Sequence, residues 1–337
     1  MKVKTAKKTL LRCTLASVAS TFAIFSSAEA ARIAIGPPAS ETNSVTRVIL
    51  EAYGLKDGDY DAFQESFGNA ADLVQDGNID ISFGILGVPA GSIESLHAST
   101  GDVVMLGLSD EVIQIAEEGS GYQRYEIPQD AYPFLDADVP TIAAFAIMVA
   151  NTDTIDEELG YQLAKAMVEH SNEITHAQGA HLTLENALNG LEGLPIHPGA
   201  KRYYEEQGLT IDAPVAEVSA TADNRKAEFT LGTGSQGGTY YPLGGEIANV
   251  WNNYVEGNFT NVETGASLEN LASIHRGRMD VGMTVHVPAL DAVNGEGEFE
   301  GNQVTNVAFI GHVYPEVVQI VTRKATGISS LDDIAKK

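Results

Sequence analysis

The sequence predicts an α/β protein in which short apolar strands alternate with amphipathic helices. A strand over Arg32–Ile35 ends at Gly36-Pro37-Pro38, and a helix over Thr42–Tyr53 follows it. The same order recurs late in the chain, where a strand over Phe229–Leu231 precedes a helix over Pro242–Tyr254. Repeated alternation of this kind is typical of a sheet whose strands are joined through helices.

The remaining elements follow the same two periodicities. Further strands are predicted over Asp80–Ile85, Val103–Leu106, Thr141–Ala150, Val262–Thr264, Val281–Thr284, Asn306–Gly311 and Val317–Thr322. Further helices are predicted over Ala70–Asp76, Glu111–Glu117, Asp156–His170, Thr183–Leu188, Pro198–Glu206 and Leu268–Arg276. Because the apolar run Thr141–Ala150 is too short to cross a bilayer, we interpret it as a buried strand.

The first thirty residues have the order of a secretory signal peptide. A basic start with four lysines and Arg12 precedes an apolar run over Leu15–Phe25, and Ala28-Glu29-Ala30 has the small-x-small form of a cleavage site. The apolar run is too short for a membrane anchor. We therefore expect residues 1–30 to be removed after about Ala30 and the protein to be periplasmic.

The net charge and the cysteine content exclude several classes of function. Residues 31–337 carry a formal charge of −30, so nucleic acid and anionic membrane surfaces would repel the protein. The single cysteine, Cys13, lies in the predicted leader, which excludes disulfides, thiolate metal sites and cysteine nucleophiles from the exported chain. Export without cysteine suits an oxidising bacterial periplasm.

A glycine-rich loop over Gly232–Gly238 joins a predicted strand to a predicted helix and is the sharpest motif in the chain. Glycines allow backbone N–H groups to turn toward a bound group, and the helix N-terminus favours an anion. Gly232, Gly234 and Gly237 also match G-x-G-x-x-G, and Glu263 stands roughly where a dinucleotide fold needs an acid. A nicotinamide-dependent oxidoreductase is therefore one alternative, although the Tyr240-Tyr241 pair that follows the loop does not favour this function.

Two more junctions have the same chemistry. Ser40 and Thr42 precede one helix, and Ser267 is the expected N-cap of another. In open α/β sheets such junctions face one crevice, where ligands bind. Catalytic patterns are weak, because Ser235 does not fit G-x-S-x-G and the histidines lack metal-ligand spacing. His286 and His312 follow strand ends and are possible crevice residues, and we expect neither a catalytic residue nor a metal or cofactor.

Several stretches together resemble the TAXI family, the extracytoplasmic solute receptors of TRAP transporters. The glycine loop continues as Tyr-Tyr-Pro-Leu-Gly-Gly over 240–245, and residues 264–271 resemble T-G-G-S-x-E-N-L, with Ala266 in place of the third-position glycine. Residues 277–282, 314–321 and 327–334 resemble three later family motifs. Matches in the earlier half include residues 36–42, 84–89, 138–141 and 196–200, so that nearly all of the exported chain is covered.

The order of these motifs departs from the family, in which the glycine loop opens the exported protein. Here the helix near Ile334 ends the chain, and the strand that should follow it is Arg32–Gly36. This order indicates a circular permutation, with the old ends bridged by the aperiodic linker 210–227; an assembly artefact is the alternative. The resemblance implies a type II periplasmic-binding-protein-like fold of two α/β lobes. One lobe would be 140–318, and the other 32–139 plus 319–337, with hinge strands near Thr141 and Val317–Arg323.

The resemblance implies a binding protein without turnover, one that acts as a monomer, captures a small organic anion and delivers it to TRAP membrane subunits. Glutamate, a 2-oxoacid or a related dicarboxylate is the expected ligand, and no arginine stands in the glycine loop to hold it. The predicted ligand-binding residues are Ser40, Thr42, Gly234, Ser235, Gly237, Gly238, Thr239, Tyr240, Tyr241, Ser267, Thr284, Tyr314 and Gln319. A receptor for a larger partner is a second alternative, which predicts a broad exposed apolar patch.

Overall fold

The computed structural model describes residues 30–335, which form ten strands in one mixed sheet with ten α-helices around it. The predicted leader, apart from Ala30, lies outside the described residues. The strands are β1 (Arg32–Ala34), β2 (Asp61–Phe63), β3 (Ile81–Leu86), β4 (Val103–Met105), β5 (Gln123–Ile127), β6 (Val139–Asn151), β7 (Glu228–Gly232), β8 (Asn258–Val262), β9 (Val281–Val285) and β10 (Val307–Arg323).

The helices account for the amphipathic segments of the sequence. They are α1 (Glu41–Ala52), α2 (Phe67–Gln75), α3 (Gly91–Thr100), α4 (Asp110–Ser120), α5 (Glu157–Glu169), α6 (Pro198–Glu206), α7 (Tyr240–Tyr254), α8 (Ser267–His275), α9 (His286–Asn294) and α10 (Asp332–Ala335). Across residues 30–335, none of these helices combines the length and apolar character that a bilayer span requires.

Two long strands, β6 and β10, run through the middle of the sheet and pair antiparallel over most of their length. The strand order is β2-β1-β3-β10-β6-β9-β7-β8, with β4 added to β10 and β5 added to β6. The end of β10, from Val317 onward, carries β3 and β4, whereas the second half of β6 carries β9. Each long strand therefore belongs to both halves of the sheet.

The apolar core is divided in the same way as the sheet. One large cluster collects side chains from α5 to α9 and from the adjoining parts of β6 and β10. Two further clusters pack around β1, β3 and β4 together with α1 to α4. Separate cores joined by two continuous strands make a mixed α/β, two-lobed, periplasmic-binding-protein-like architecture, and this confirms the predicted fold class.

Several predicted boundaries were wrong. Residues 183–190 form turns rather than a helix, because the segment is held by local bonds such as the Asn186 side chain donating to the His181 carbonyl. The two strands predicted over Asn306–Gly311 and Val317–Thr322 are one strand, β10, with irregular pairing near Gly311 and Tyr314. The strand predicted over Val262–Thr264 ends at Val262. Helices α3 and α9 were not predicted.

The predicted linker 210–227 contains one 3₁₀ turn and is fixed by contacts along its length. Val215 bridges to Ile196, and the Ser219 amide donates to the Thr152 carbonyl at 3.0 Å. Near its end, the largely buried Arg225 guanidinium forms a two-pronged ion pair with Asp156, the N-cap of α5. The segment is therefore irregular but anchored to the lobe that holds β7.

Candidate functional site

One cavity lies between the two sets of core clusters, at the point where several strands give way to helices. Its enclosed volume is about 70 Å³, within about 570 Å³ of space that includes the part open to solvent. It is bordered by the junctions β1–α1, β7–α7 and β8–α8, by the end of β3, and by β10. The lining residues are Pro37, Ser40, Glu41, Thr42, Phe67, Gly84, Ile85, Leu86, Gly234, Ser235, Gly238, Thr239, Tyr240, Thr264, Gly265, Ala266, Ser267, Val285 and Glu316.

The structure brings eight of the thirteen sequence-predicted ligand residues to this cavity. They are Ser40, Thr42, Gly234, Ser235, Gly238, Thr239, Tyr240 and Ser267. Three junctions that are far apart in the chain therefore meet, as expected for loops at the strand ends of α/β sheets. The apolar part of the wall comes from Phe67 and from residues 84–86 of β3. Gly84 is needed there, because a Cβ atom would stand 2.5 Å from the Phe67 ring.

Three helices begin at the cavity, and their first residues line it. Ser40 is the N-cap of α1, as its position predicted, and its hydroxyl accepts a hydrogen bond from the Asn43 amide. Ser267 is not an N-cap; it is the first residue of α8, and its hydroxyl accepts from the Val285 amide instead. Neither α7 nor α8 has a side-chain cap. Helix N-termini carry partial positive charge, so this end of the cavity favours a negative group.

Two of the junctions hold an alanine with a positive φ angle, Ala39 at 55° and Ala266 at 72°. Residues other than glycine rarely adopt this region, and each such residue costs about 1–3 kcal/mol. Ala266 is the position at which the sequence departs from the glycine of the T-G-G-S motif. The strain therefore falls on the two loops that lead into α1 and α8 at the cavity.

Two groups of contacts hold the lobes together across the cavity. The Gly87 amide, which follows β3, donates to the Thr239 hydroxyl at 3.0 Å, and Gln178 donates to the Val88 carbonyl. Gly237 of the glycine loop lies directly against Gly68 of α2, so that a Cβ atom on Gly237 would stand 2.4 Å from the Gly68 Cα. The two glycines permit an approach that no larger residue would allow, and the cleft is closed at this point.

Glu316 is the most unusual residue of the lining, because it is a carboxyl group that is only 4% exposed in the middle of β10. It accepts hydrogen bonds from the Tyr240 hydroxyl at 2.6 Å and from the Tyr314 hydroxyl at 3.0 Å. Burial raises the pKa of Glu316 to about 8; the two hydroxyls oppose that rise, and the charge of Glu41 adds to it.

Glu41 is a second buried carboxyl group of the lining, and it is the first residue of α1. The Tyr122 hydroxyl donates to it at 2.8 Å. Burial raises the pKa of Glu41 to about 7, against the lowering effect of this bond, and the charge of Asp291 contributes a further rise. Glu41 also borders an outer groove, formed in part by His286 and α9.

Asn270 of α8 holds the loops of this wall in place although it does not line the cavity. Its side chain is fully buried, and its amide donates to the Thr233 carbonyl before the glycine loop and to the Met283 carbonyl on β9. The Thr264 hydroxyl also bonds to the Thr233 carbonyl at 2.9 Å. These bonds join the starts of two junctions to the central sheet.

Five sequence-predicted ligand residues do not line the cavity: Gly237, Tyr241, Thr284, Tyr314 and Gln319. Gly237 forms the contact with Gly68 described above. Thr284 and Tyr314 are fully buried, and their hydroxyls bond to the Val285 carbonyl and to Glu316. Tyr241 is half-buried on α7, and its carbonyl accepts from Asn261.

Gln319, the fifth of these residues, has a supporting position behind the wall. Its amide donates to the Leu86 and Gly87 carbonyls, and its oxygen accepts from the Tyr132 hydroxyl at 2.6 Å. Gln319 thus fixes the backbone whose Gly87 amide reaches Thr239.

The two histidines considered for the crevice lie outside it. His286 accepts from the Phe145 amide, and burial lowers its pKa to about 4. His312 is buried against the Phe145 ring, at a ring-centroid distance of 5.6 Å, and burial lowers its pKa to about 3. Both are uncharged at neutral pH and pack near aromatic and apolar side chains.

The hydroxyl and glycine residues of the site were predicted from the sequence, but both acids were not. Glu316 stands in the Tyr-Pro-Glu stretch 314–316, and a carboxyl group inside an apolar strand was the signal that could have marked it. Among residues 30–335, no lysine, arginine or histidine lines the cavity. The site therefore offers helix N-termini, neutral donors and two carboxyl groups to a bound molecule.

Fold and cavity together give the chain the architecture of the solute-binding proteins of transport systems, in which two lobes enclose a small molecule. The chain belongs to the NMT1-like family, whose sequence model matches residues 7–208 and 231–337. The match leaves out residues 209–230, which contain the segment interpreted as a linker.

Solved structures similar to this chain have low sequence identity to it. A binding protein component of a phosphonate ABC transporter from Pseudomonas aeruginosa is 10% identical, with 91% of this chain and 73% of that chain covered and a TM-score of 0.44. The substrate-binding protein of an amino acid ABC transporter is 8% identical over 91% and 92%, with a TM-score of 0.40. A phosphate-binding protein from Streptococcus pneumoniae is 11% identical over 91% and 94%, with a TM-score of 0.36.

The closed cleft leads to a prediction about Gly237. A valine there would collide with Gly68 and force the lobes apart, and overpacking of this kind costs about 1–3 kcal/mol. We expect Gly237→Val to speed hydrogen exchange of the Gly87 amide, which donates across the cleft, by roughly 5- to 150-fold. Asn69→Ala, an exposed neighbour of Gly68 on α2, is the control and should leave this exchange unchanged. Equal exchange rates in the two variants would contradict a cleft closed by the glycine pair.

Proposed function

We propose that the chain is the periplasmic receptor of a TAXI-type TRAP transporter and binds a small carboxylate in the cavity. The observation that carries this proposal is the meeting of three helix N-termini at one cavity whose lobes touch through Gly237 and Gly68. Two-lobed receptors bind by closing such a cleft around a ligand, and the closed contact surfaces stabilise the bound form. The motif resemblance supports the TAXI assignment, and the signal-peptide pattern in residues 1–30 supports export.

The carboxylate of the ligand would lie against the N-termini of α7 and α8. Amide groups of the first helical turn favour an anion without a basic side chain, which agrees with the composition of the lining. The hydroxyls of Ser40, Thr42 and Ser235 are further donors at the same cavity. We expect no chemical turnover, because the proposed role is capture and delivery by a monomer to the TRAP membrane subunits.

The lobe boundaries and the permuted order are part of the same proposal. We place one lobe at 140–318 and the other at 32–139 plus 319–337, with the change of lobe inside β6 and β10. The sharing of both strands by the two halves of the sheet supports this division. Ile33, Leu331 and Ile334 pack in one cluster, so the two ends of the described chain meet in one core, as a circular permutation requires.

A thermal melt of the exported chain tests the function. We expect a carboxylate from a panel of amino acids, 2-oxoacids and dicarboxylates to raise the melting temperature by several degrees. Binding at a hundredfold excess over Kd stabilises the folded state by about 2.7 kcal/mol. NADH tests the oxidoreductase alternative in the same panel. A melt that NADH alone shifts, or that no carboxylate shifts, would overturn the receptor proposal, and liposomes containing TRAP membrane subunits would test delivery.

A chain rearranged into the family order tests the permutation. It would begin at Val218, run to Ala335, continue through a short Gly/Ser linker to Ala31 and end at Glu217. The cut keeps the anchoring bonds of Ala216 and Ser219 intact. We expect a melting temperature within a few degrees of the original and binding of the same carboxylates, because every core contact is retained. Failure to fold in several linker lengths would show that the ends cannot be joined and would count against the permutation.

A further inference from the structure

One short segment, residues 86–90 between β3 and α3, is bonded to both lobes of the proposed division. Within its own lobe, the Gln319 amide donates to the carbonyls of the first two residues of the segment. The Tyr132 hydroxyl accepts from the Ala90 amide at 2.7 Å and donates to Gln319 at 2.6 Å. All of these bonds are buried. The segment is therefore fixed at both of its ends to the long strand β10, which carries Gln319.

The opposite lobe bonds to the middle of the same segment. The Thr239 hydroxyl accepts from the Gly87 amide, and the Gln178 side chain donates to the Val88 carbonyl, each at 3.0 Å. The Gln178 side chain also lies against Gly87, where a Cβ atom would stand 2.5 Å from the Gln178 Cδ, so this approach requires a glycine. Gln178 is only 1% exposed and lies outside the lining of the cavity.

Helix α7 positions both of these contacts. Thr239 is the N-cap of α7, and Glu246 further along the helix accepts from the amides of Thr175 and His176. The His176 ring accepts from the Gln178 amide at 3.2 Å, at the start of the 3₁₀ turn that holds Gln178. The helix whose N-terminus borders the cavity is therefore also the helix that supports both bonds to the opposite lobe.

We infer that α7 and the 86–90 segment form a latch: Gln178 and Thr239 bond to the segment when the lobes close, and Gln319 holds it in the conformation that they bind. The inference rests on the proposed function and lobe division, and it concerns the lifetime of the closed form. Gln178 would slow release without touching the bound molecule, and Gln319 is a positioning residue. Because Gln178 is buried in the closed form, water cannot readily replace its bond to the Val88 carbonyl.

Gln178→Met tests the latch, because methionine has a similar length but donates no hydrogen bond. Residue-resolved hydrogen exchange is measured on the exported chain, with and without an excess of L-glutamate. We expect the Gly87 amide, which is bonded across the lobes, to exchange roughly 5- to 150-fold faster in the variant. The Ala90 amide, which is bonded to Tyr132 within its own lobe, should be unchanged. A variant that only loosened the fold would accelerate both amides.

Gln207→Met, at an exposed glutamine of the same lobe, is the matched control and should change neither amide. Equal Gly87 exchange in the original chain and Gln178→Met under both conditions, or equal acceleration of both amides, would overturn the latch and leave the receptor proposal standing. Acceleration of Gly87 alone, without protection by any carboxylate of the panel, would support the latch and count against the receptor proposal. Should Gln178→Met not fold, Gln178→Asn, whose amide is one methylene group shorter, takes its place.

A double variant tests the positioning role of Gln319. Gln319→Met releases the segment from β10, so we expect it to accelerate exchange of both the Gly87 and the Ala90 amide. If Gln319 acts through the latch, adding Gln178→Met should accelerate Gly87 little further, whereas independent sites would multiply their factors. Multiplied factors would overturn the positioning role. Tyr132→Phe, which removes the hydroxyl that orients Gln319, replaces Gln319→Met should that variant not fold.

The release rate of L-glutamate from the exported chain, followed by stopped flow, gives a second readout. The latch forms only after the lobes close, so Gln178→Met should raise the dissociation rate constant roughly 5- to 150-fold and leave the association rate constant unchanged. A changed association rate constant with an unchanged dissociation rate constant would overturn the inference. If L-glutamate does not bind, the exchange of the Gly87 amide decides.

Discussion

The antiparallel pairing of β6 with β10 is the constraint on which the rest of the structure depends. Both strands extend through the whole sheet, and the register between Val317 and Ala143 marks where one set of neighbours replaces the other. A continuous pair of strands lets two separately packed cores move relative to each other by small changes along a few residues. Glu316 stands one residue before Val317, so the buried acid of the cavity lies at the point where bending would be concentrated.

The cavity combines two opposite electrostatic requirements. The N-termini of three helices favour a negative group, whereas burial opposes charge on Glu41, the first residue of α1, and on Glu316, which accepts from the first residue of α7. An enclosed cavity of low polarity strengthens both preferences, because buried charges are poorly screened by water. The strongly negative net charge of the exported chain did not predict this arrangement, because the electrostatics of a local site depend on the few groups that line it.

The sequence was sufficient for the α/β class and for the three junctions, because glycine, proline and capping residues act locally and leave a recognisable pattern. The sequence did not predict β10 as one strand. Tyr314-Pro315 interrupts the strand pattern, but pairing with β6 continues through both residues. Thr284 and Gln319 were predicted to bind the ligand, but their side chains bond to neighbouring backbone, and this choice depends on tertiary packing. Glu41 was not predicted, because its neighbours Ser40 and Thr42 were interpreted as the functional residues of that junction.

Closure of the two lobes on the ligand can be measured as a distance between two spin labels. The only cysteine, Cys13, lies in the predicted leader, so cysteines at Asp72 on α2 and Glu263 beside the glycine loop would be the only ones in the exported chain. Both positions are exposed and lie in different lobes of the proposed division. We predict a long, broad distance distribution without ligand and a shorter, narrower one at saturation with the tightest-binding carboxylate. One unchanged distribution under both conditions would contradict it.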